Sequence, residues 1–86
     1  MRVTPRVVDV KALDKTHIYI KFADGKEKVY DMSNLIETNQ FYSNLKERSY
    51  FETVRPSGVS VSWPNGEDVC PENLYYESVD YSEFNK

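Results

Sequence analysis

The stretch from Gly58 to Tyr76 limits the possible folds more than any other part of the chain. Val59-Ser60-Val61-Ser62-Trp63 alternates with a period of two, so Val59, Val61 and Trp63 are expected on one face of a strand and Ser60 and Ser62 on the other. Pro64-Asn65-Gly66 then turns the chain, because proline presets φ at the first corner and Asn and Gly tolerate the left-handed conformation. Glu67 to Cys70 is expected to return briefly. Pro71-Glu72 should open a helix, with proline at the first helical position and a carboxylate near the positive end of the dipole. Leu74 and Tyr75 would then close a core around the only tryptophan. Such a unit needs a sheet and helices to receive it.

The preceding residues supply both. Pro5 opens a strand in which Val8, Val10 and Ala12 share one face and Asp9 and Lys11 the other. After Asp14-Lys15, His17 to Phe22 alternates again, with Ile18, Ile20 and Phe22 inward and His17, Tyr19 and Lys21 outward. Ala23-Asp24-Gly25 is a hairpin signal, and Lys26 to Tyr30 returns as a more polar third strand. From Asp31 the pattern changes. Asp31 or Ser33 can cap a helical turn carrying Met32, Leu35 and Ile36. Phe41 and Leu45, four residues apart, suggest a second piece from about Asn39 to Lys46, and Ser49-Tyr50-Phe51-Glu52 fits a capping box ending near Val54. Helices this short do not stand alone in water, so they must lie on the apolar sheet face. The expected fold class is α+β. An antiparallel three-stranded meander (near 6–13, 16–22 and 26–31) and a C-terminal hairpin around Pro64 flank short helices between 33 and 54.

At 86 residues there is room for one domain, placed at 1–76, followed by an acidic, aromatic tail at 77–86. One cysteine, Cys70, excludes an internal disulfide and a cysteine-based zinc cluster. No run approaches the ~20 apolar residues of a membrane span, and no apolar leader core follows Met1, so no membrane role is expected and the cytoplasm is the expected address. The net charge of −3 is unevenly spread. Residues 1–30 hold seven basic against four acidic side chains, and residues 67–86 hold one against six. Twelve aromatics, seven of them tyrosine, imply rings that are half-buried with wet hydroxyls, a composition also found at interaction surfaces.

Trp63-Pro64-Asn65-Gly66-x-Asp68-x-x-Pro71-Glu72-x-Leu74-Tyr75 resembles the hallmark of a family of small bacterial domains classed only as of unknown function. Val8-Asp9-Val10, Phe22-x-Asp24-Gly25 and Tyr30-Asp31 add to the likeness, which covers roughly Pro5 to Tyr76. The resemblance implies an α+β domain that occurs alone or joined to a helix-turn-helix DNA-binding part. Some members sit beside another small protein in an arrangement similar to toxin–antitoxin pairs. This chain runs only ten residues past Tyr76, where the likeness ends, so no DNA-reading helical unit is expected. The resemblance supplies no catalytic residues to carry over, and no cofactor is expected.

The candidate sites follow from residue chemistry. Trp63 is either a core residue or the floor of a partner groove. Asp31 and Asp68 precede helix starts and are expected to accept backbone N–H bonds; with Asp9 they could hold a cation only if all three converged. His17, the only histidine, has no Cys or His partner at metal or catalytic spacing and is expected as an exposed surface residue. Cys70 is expected to pack as a small apolar group. No metal site and no catalytic constellation are expected. A protein partner would be met by Trp63, Asp68, Tyr75, Tyr76, Tyr81 and Phe84, the last two as anchors in the acidic tail. Another small protein is the expected partner, and a second copy of the chain is a further candidate. The alternative is a nucleic-acid-associated regulator using Arg6, Lys11, Tyr19, Lys21 and Lys28 as a basic, aromatic stripe. A sequence pI near 5.1 argues against it.

Overall fold

The computed structural model describes residues 4–84; positions 1–3 of the expected domain and 85–86 of the expected tail lie outside them. Strands β1 (Val7–Ala12), β2 (His17–Phe22) and β3 (Glu27–Asp31) form the antiparallel meander. Three short helical pieces follow: α1 (Ser33–Thr38), a 3₁₀ turn (Gln40–Lys46) and α2 (Arg48–Phe51). A small hairpin of β4 (Arg55–Ser57) and β5 (Ser60–Ser62) leads through the Pro64 turn to α3 (Pro71–Tyr76). The segment that the charge pattern set apart as a tail joins the sheet. Val79–Asp80 forms β6 against β3, giving the order β1-β2-β3-β6, and α4 (Tyr81–Phe84) folds over the outer sheet face.

Register decides which side chains form the core. Val10, Ile18, Ile20, Phe22 and Tyr30 point inward and meet Met32, Ile36, Leu45, Phe51, Val61, Trp63, Val69 and Leu74. In β1 the expected inward Val8 is 42% exposed, whereas Val7 is buried. The cause is a bulge: pairing steps from Val7↔Phe22 to Asp9↔Lys21, so two β1 residues oppose one on β2 and Val8 is extruded. A second departure lies at Val59, which is exposed because Gly58 (φ +58°) and Val59 are the two corner residues of the β4–β5 hairpin. Val61 and Trp63 face inward as expected. Ser60 is buried instead, its Oγ donating to the Val69 carbonyl at 2.6 Å.

Helical details also depart from the local signals. Over Gln40–Lys46 the chain winds as a 3₁₀ turn, so Tyr42 and Leu45, three apart, are buried together and Phe41 is exposed. The capping box at Ser49 does not form. α2 starts at Arg48, whose Nε holds Glu52 at 3.1 Å and so removes the carboxylate from the backbone. Pro71 does take the first helical position of α3.

Trp63 is 1% exposed, stacks on Phe51 with centroids 5.9 Å apart, and donates its indole N–H to the Phe51 carbonyl at 2.9 Å. The following corner is closed twice, by Gly66 N–H to Trp63 C=O and by Trp63 N–H to Glu67 C=O, both 2.9 Å. Gly66 has φ +100°, the left-handed residue of a three-residue hairpin loop. Trp63→Ala is expected to cost about 3–5 kcal/mol, while Trp63→Phe keeps the stack and loses only the indole hydrogen bond. Urea unfolding monitored by circular dichroism checks this, and equal losses for both variants would contradict the division.

Candidate functional site

The two sheet faces differ in character. On the outer face, cross-strand pairing sets Lys11, Tyr19, Val29 and Val79 in one row. Neighbouring outer positions are occupied by Asp9, Lys21 and Glu27, and by His17 and Asp31. α4 covers the middle of this face: Tyr81 meets Tyr19 edge-on with centroids 5.2 Å apart, and Phe84 lies 4.9 Å from the His17 ring. Tyr19 and Val29 are consequently buried although they face away from the core.

This arrangement breaks up the expected basic stripe. Lys28 is opposite Ile20 and so points to the helix-covered face, where its ammonium sits 5.0 Å above the Tyr75 ring and 3.9 Å from Asp80. Lys11 caps the Tyr19 ring at 5.2 Å, and Lys21 is paired across the sheet with Asp9 and Glu27. The Tyr19 hydroxyl donates to Glu27, and this bond together with burial pushes the phenol up to about 12. Arg6, exposed before β1, is engaged through its carbonyl, which accepts from Ala23 N–H.

The aspartates do not meet. Asp9 pairs with Lys21 and Asp31 with His17, at opposite ends of β2 and so about 13 Å apart along the strand. Asp68 belongs to the Ser62 bridge beyond the small hairpin. Among the described residues no three His, Cys, Asp or Glu side chains are grouped to hold a metal ion. Asp31 accepts the Ser33 N–H at 2.9 Å as a carboxylate before a helix should. Asp68 instead contributes its carbonyl, which accepts from the Tyr42 hydroxyl at 2.7 Å. Cys70 is exposed at the start of α3 rather than packed.

His17 is not an unpartnered surface group. Its Nδ1 lies 3.0 Å from Asp14 and its Nε2 3.8 Å from Asp31, with the ring beneath Phe84. Partial burial acts to raise the Asp14 carboxyl. Bonds from Thr16 N–H, the His17 ring and His17 N–H outweigh it and hold the group at about 2. Asp14-Lys15-Thr16 is an aspartate-capped turn, and that capping was the readable signal for the contact.

Sequence reasoning also missed Glu67. It is 3% exposed, accepts Tyr50 O–H at 2.6 Å and Asn44 Nδ2 at 3.3 Å, and sits beside the Trp63 corner. Alternation back from buried Val69 places Glu67 on the inner face, so the signal was present. Tyr50 O–H also accepts from Asn65 N–H at 2.8 Å, tying α2 to the turn. Burial first, then the bond to Glu67, raises this phenol.

The expected partner residues divide into three groups. Trp63 belongs to the core. Tyr75 is half-buried: its hydroxyl donates to Asp24 at 2.7 Å, which pushes it up to about 12, and its ring meets Phe22 edge-on. Asp68, Tyr76 and Phe84 are exposed and Tyr81 half-exposed, with Tyr81 and Phe84 seated on the chain's own sheet. Val79, 51% exposed, was not anticipated because a two-residue strand has no readable alternation.

The sheet, its helical cover and the W-P-N-G corner define a small α+β domain without a metal cluster among its described residues. The chain belongs to the DUF2442 family of proteins of unknown function, whose family model matches residues 7–80. No curated protein and no solved structure matches it. Among the described residues no helix is long and apolar enough to cross a membrane.

Two solution tests follow from these contacts. Tyr50→Phe strips a donor from buried Glu67 and is expected to cost about 1–3 kcal/mol in urea unfolding; a change within error would place that bond outside the stability of the fold. The Asp14 carboxyl is lowered from 3.8 to about 2, so its stabilisation is full above about pH 4 and is lost as pH falls through 2. Partial exposure keeps this below about 1 kcal/mol. Asp14→Asn should flatten that part of the acid-unfolding curve, and an unchanged slope would contradict the assignment.

Proposed function

We propose that this domain is a protein-interaction module, acting in the bacterial cytoplasm as one half of a toxin–antitoxin-like pair with another small protein. The carrying observation is where the exposed apolar surface lies. Tyr76, Val79 and Phe84, three of the six large apolar side chains left exposed among the described residues, fall in one short stretch interleaved with Glu77, Asp80 and Glu83. Apolar side chains set among carboxylates on a sheet edge match the composition of a docking patch with a polar rim. Tyr76, on α3, and Val79, on the edge strand β6, are the residues that would meet the partner first.

The resemblance to small domains paired with a neighbouring protein points to a partner encoded beside this chain. Co-expression with that neighbour, followed by affinity purification, tests the reading. Tyr76→Ala and Tyr76→Asp are expected to reduce retained partner by about tenfold each while leaving the melting temperature unchanged. Full retention by both variants would overturn the placement of the surface. Binding of single-stranded oligonucleotides with a steep salt dependence would favour the nucleic-acid alternative instead.

A further inference from the structure

We infer that α4 is a placeholder: the groove it fills on the outer sheet face is a docking seat for an acidic, aromatic segment of a protein partner that pairs briefly with β3 and then turns helical. This deepens the interaction-module reading and rests on it. The chain's own segment shows what the seat accepts. Val79 pairs with Val29 and Asp80 with Lys28 in antiparallel register, Tyr81 meets Tyr19 edge-on, and Phe84 lies on the His17 ring. The pattern is a branched aliphatic residue, an acid, an aromatic, two spacers and a second aromatic. A segment with that pattern would add to β3 through backbone bonds at its first two residues and, turning helical beyond them as α4 does, set two rings three residues apart into the same positions.

Three observations make the placeholder displaceable. β6 pairs over only two residues and α4 is a single turn, so few contacts hold the segment. Its ion pair to the sheet, Lys28–Asp80, spans 3.9 Å with Asp80 well exposed, a contact worth little by itself. The fit is also incomplete. A cleft of about 330 Å³, lined by Lys26, Glu27, Asp80, Tyr81 and Ser82, opens between the segment and the β2–β3 hairpin, leaving room for a larger ligand. Charge favours an acid at the second position: Lys28 meets Asp80 at 3.9 Å from the helix-covered face, and Lys26 lines the cleft beside it. Removing the segment would uncover Tyr19 and Val29, two buried apolar side chains in one row. Opening without a replacement is therefore unfavourable.

The test uses the full chain and a fluorescein-labelled synthetic peptide with the sequence of residues 77–84. Fluorescence anisotropy compares wild type with Tyr81→Ala/Phe84→Ala, whose own segment has lost its two anchors. The double variant is expected to bind the peptide about tenfold or more tightly than wild type, because the seat is vacant for more of the time. A peptide with both aromatics replaced by alanine should not bind. No binding to a double variant that keeps its Trp63 emission, or equal binding to both proteins, overturns the inference. If the double variant does not fold, hydrogen exchange on wild type with millimolar peptide decides: lost protection in β6 supports displacement, and unchanged protection rejects it. A concentration-dependent wild-type dimer that the peptide dissolves would make a second copy the occupant and overturn the assignment to a partner. Should Tyr76→Ala abolish partner capture while the peptide never binds, the interaction module stands and the placeholder falls.

Discussion

The fold depends on sealing one indole. Trp63 lies under α2, its N–H satisfied by the Phe51 carbonyl and its ring stacked on Phe51, so one side chain joins the last helical turn to the hairpin that follows. A buried indole N–H without that acceptor would cost about 1–3 kcal/mol and offset part of what burial of the ring contributes. The corner beyond it is therefore held by several bonds at once, from Gly66, Glu67 and, through the Tyr50 hydroxyl, Asn65. Glu67 completes the arrangement: a carboxylate can be buried there because Tyr50 and Asn44 supply donors. The W-P-N-G motif is thus a structural closure whose chemistry is spent inside the molecule.

With the interior committed in this way, the docking seat we propose lies on the opposite side of the sheet. That face is charge-balanced, since lysines are met by Asp9 and Glu27 or by tyrosine rings. Among the described residues this face carries no continuous positive track for phosphate binding. Its centre is instead apolar and aromatic and is covered by the last described residues of the same chain. The uneven charge seen along the sequence is partly resolved within the fold, where acidic Asp80 returns to basic Lys28 and Tyr75 reaches back to Asp24.

Much of the architecture was legible. The β2 alternation, the two glycine corners at Gly25 and Gly66, and proline at the start of α3 each have a local cause that tertiary context does not override. The departures share a different cause. Val8 is out because a bulge changes the pairing count, and Val59 is out because β4, a strand with no apolar pattern, makes it a turn residue. Tyr42 replaces Phe41 in the core because the helix winds with three residues per turn. Of the expected interaction residues, Trp63 proved interior and Tyr81 and Phe84 proved to rest on their own sheet, while Val79 emerged only from β6.

The sequence by itself determined the meander, the alternation leading into Trp63, the glycine corners and the apolar inventory, because periodicity and backbone preference act between near neighbours. Tertiary structure alone decided which face each lysine occupies, that Asp9, Asp31 and Asp68 stay apart, and that residues 79–84 close the sheet. Those outcomes depend on register between segments far apart in the chain, and a one-residue change in register reverses the face of every side chain that follows.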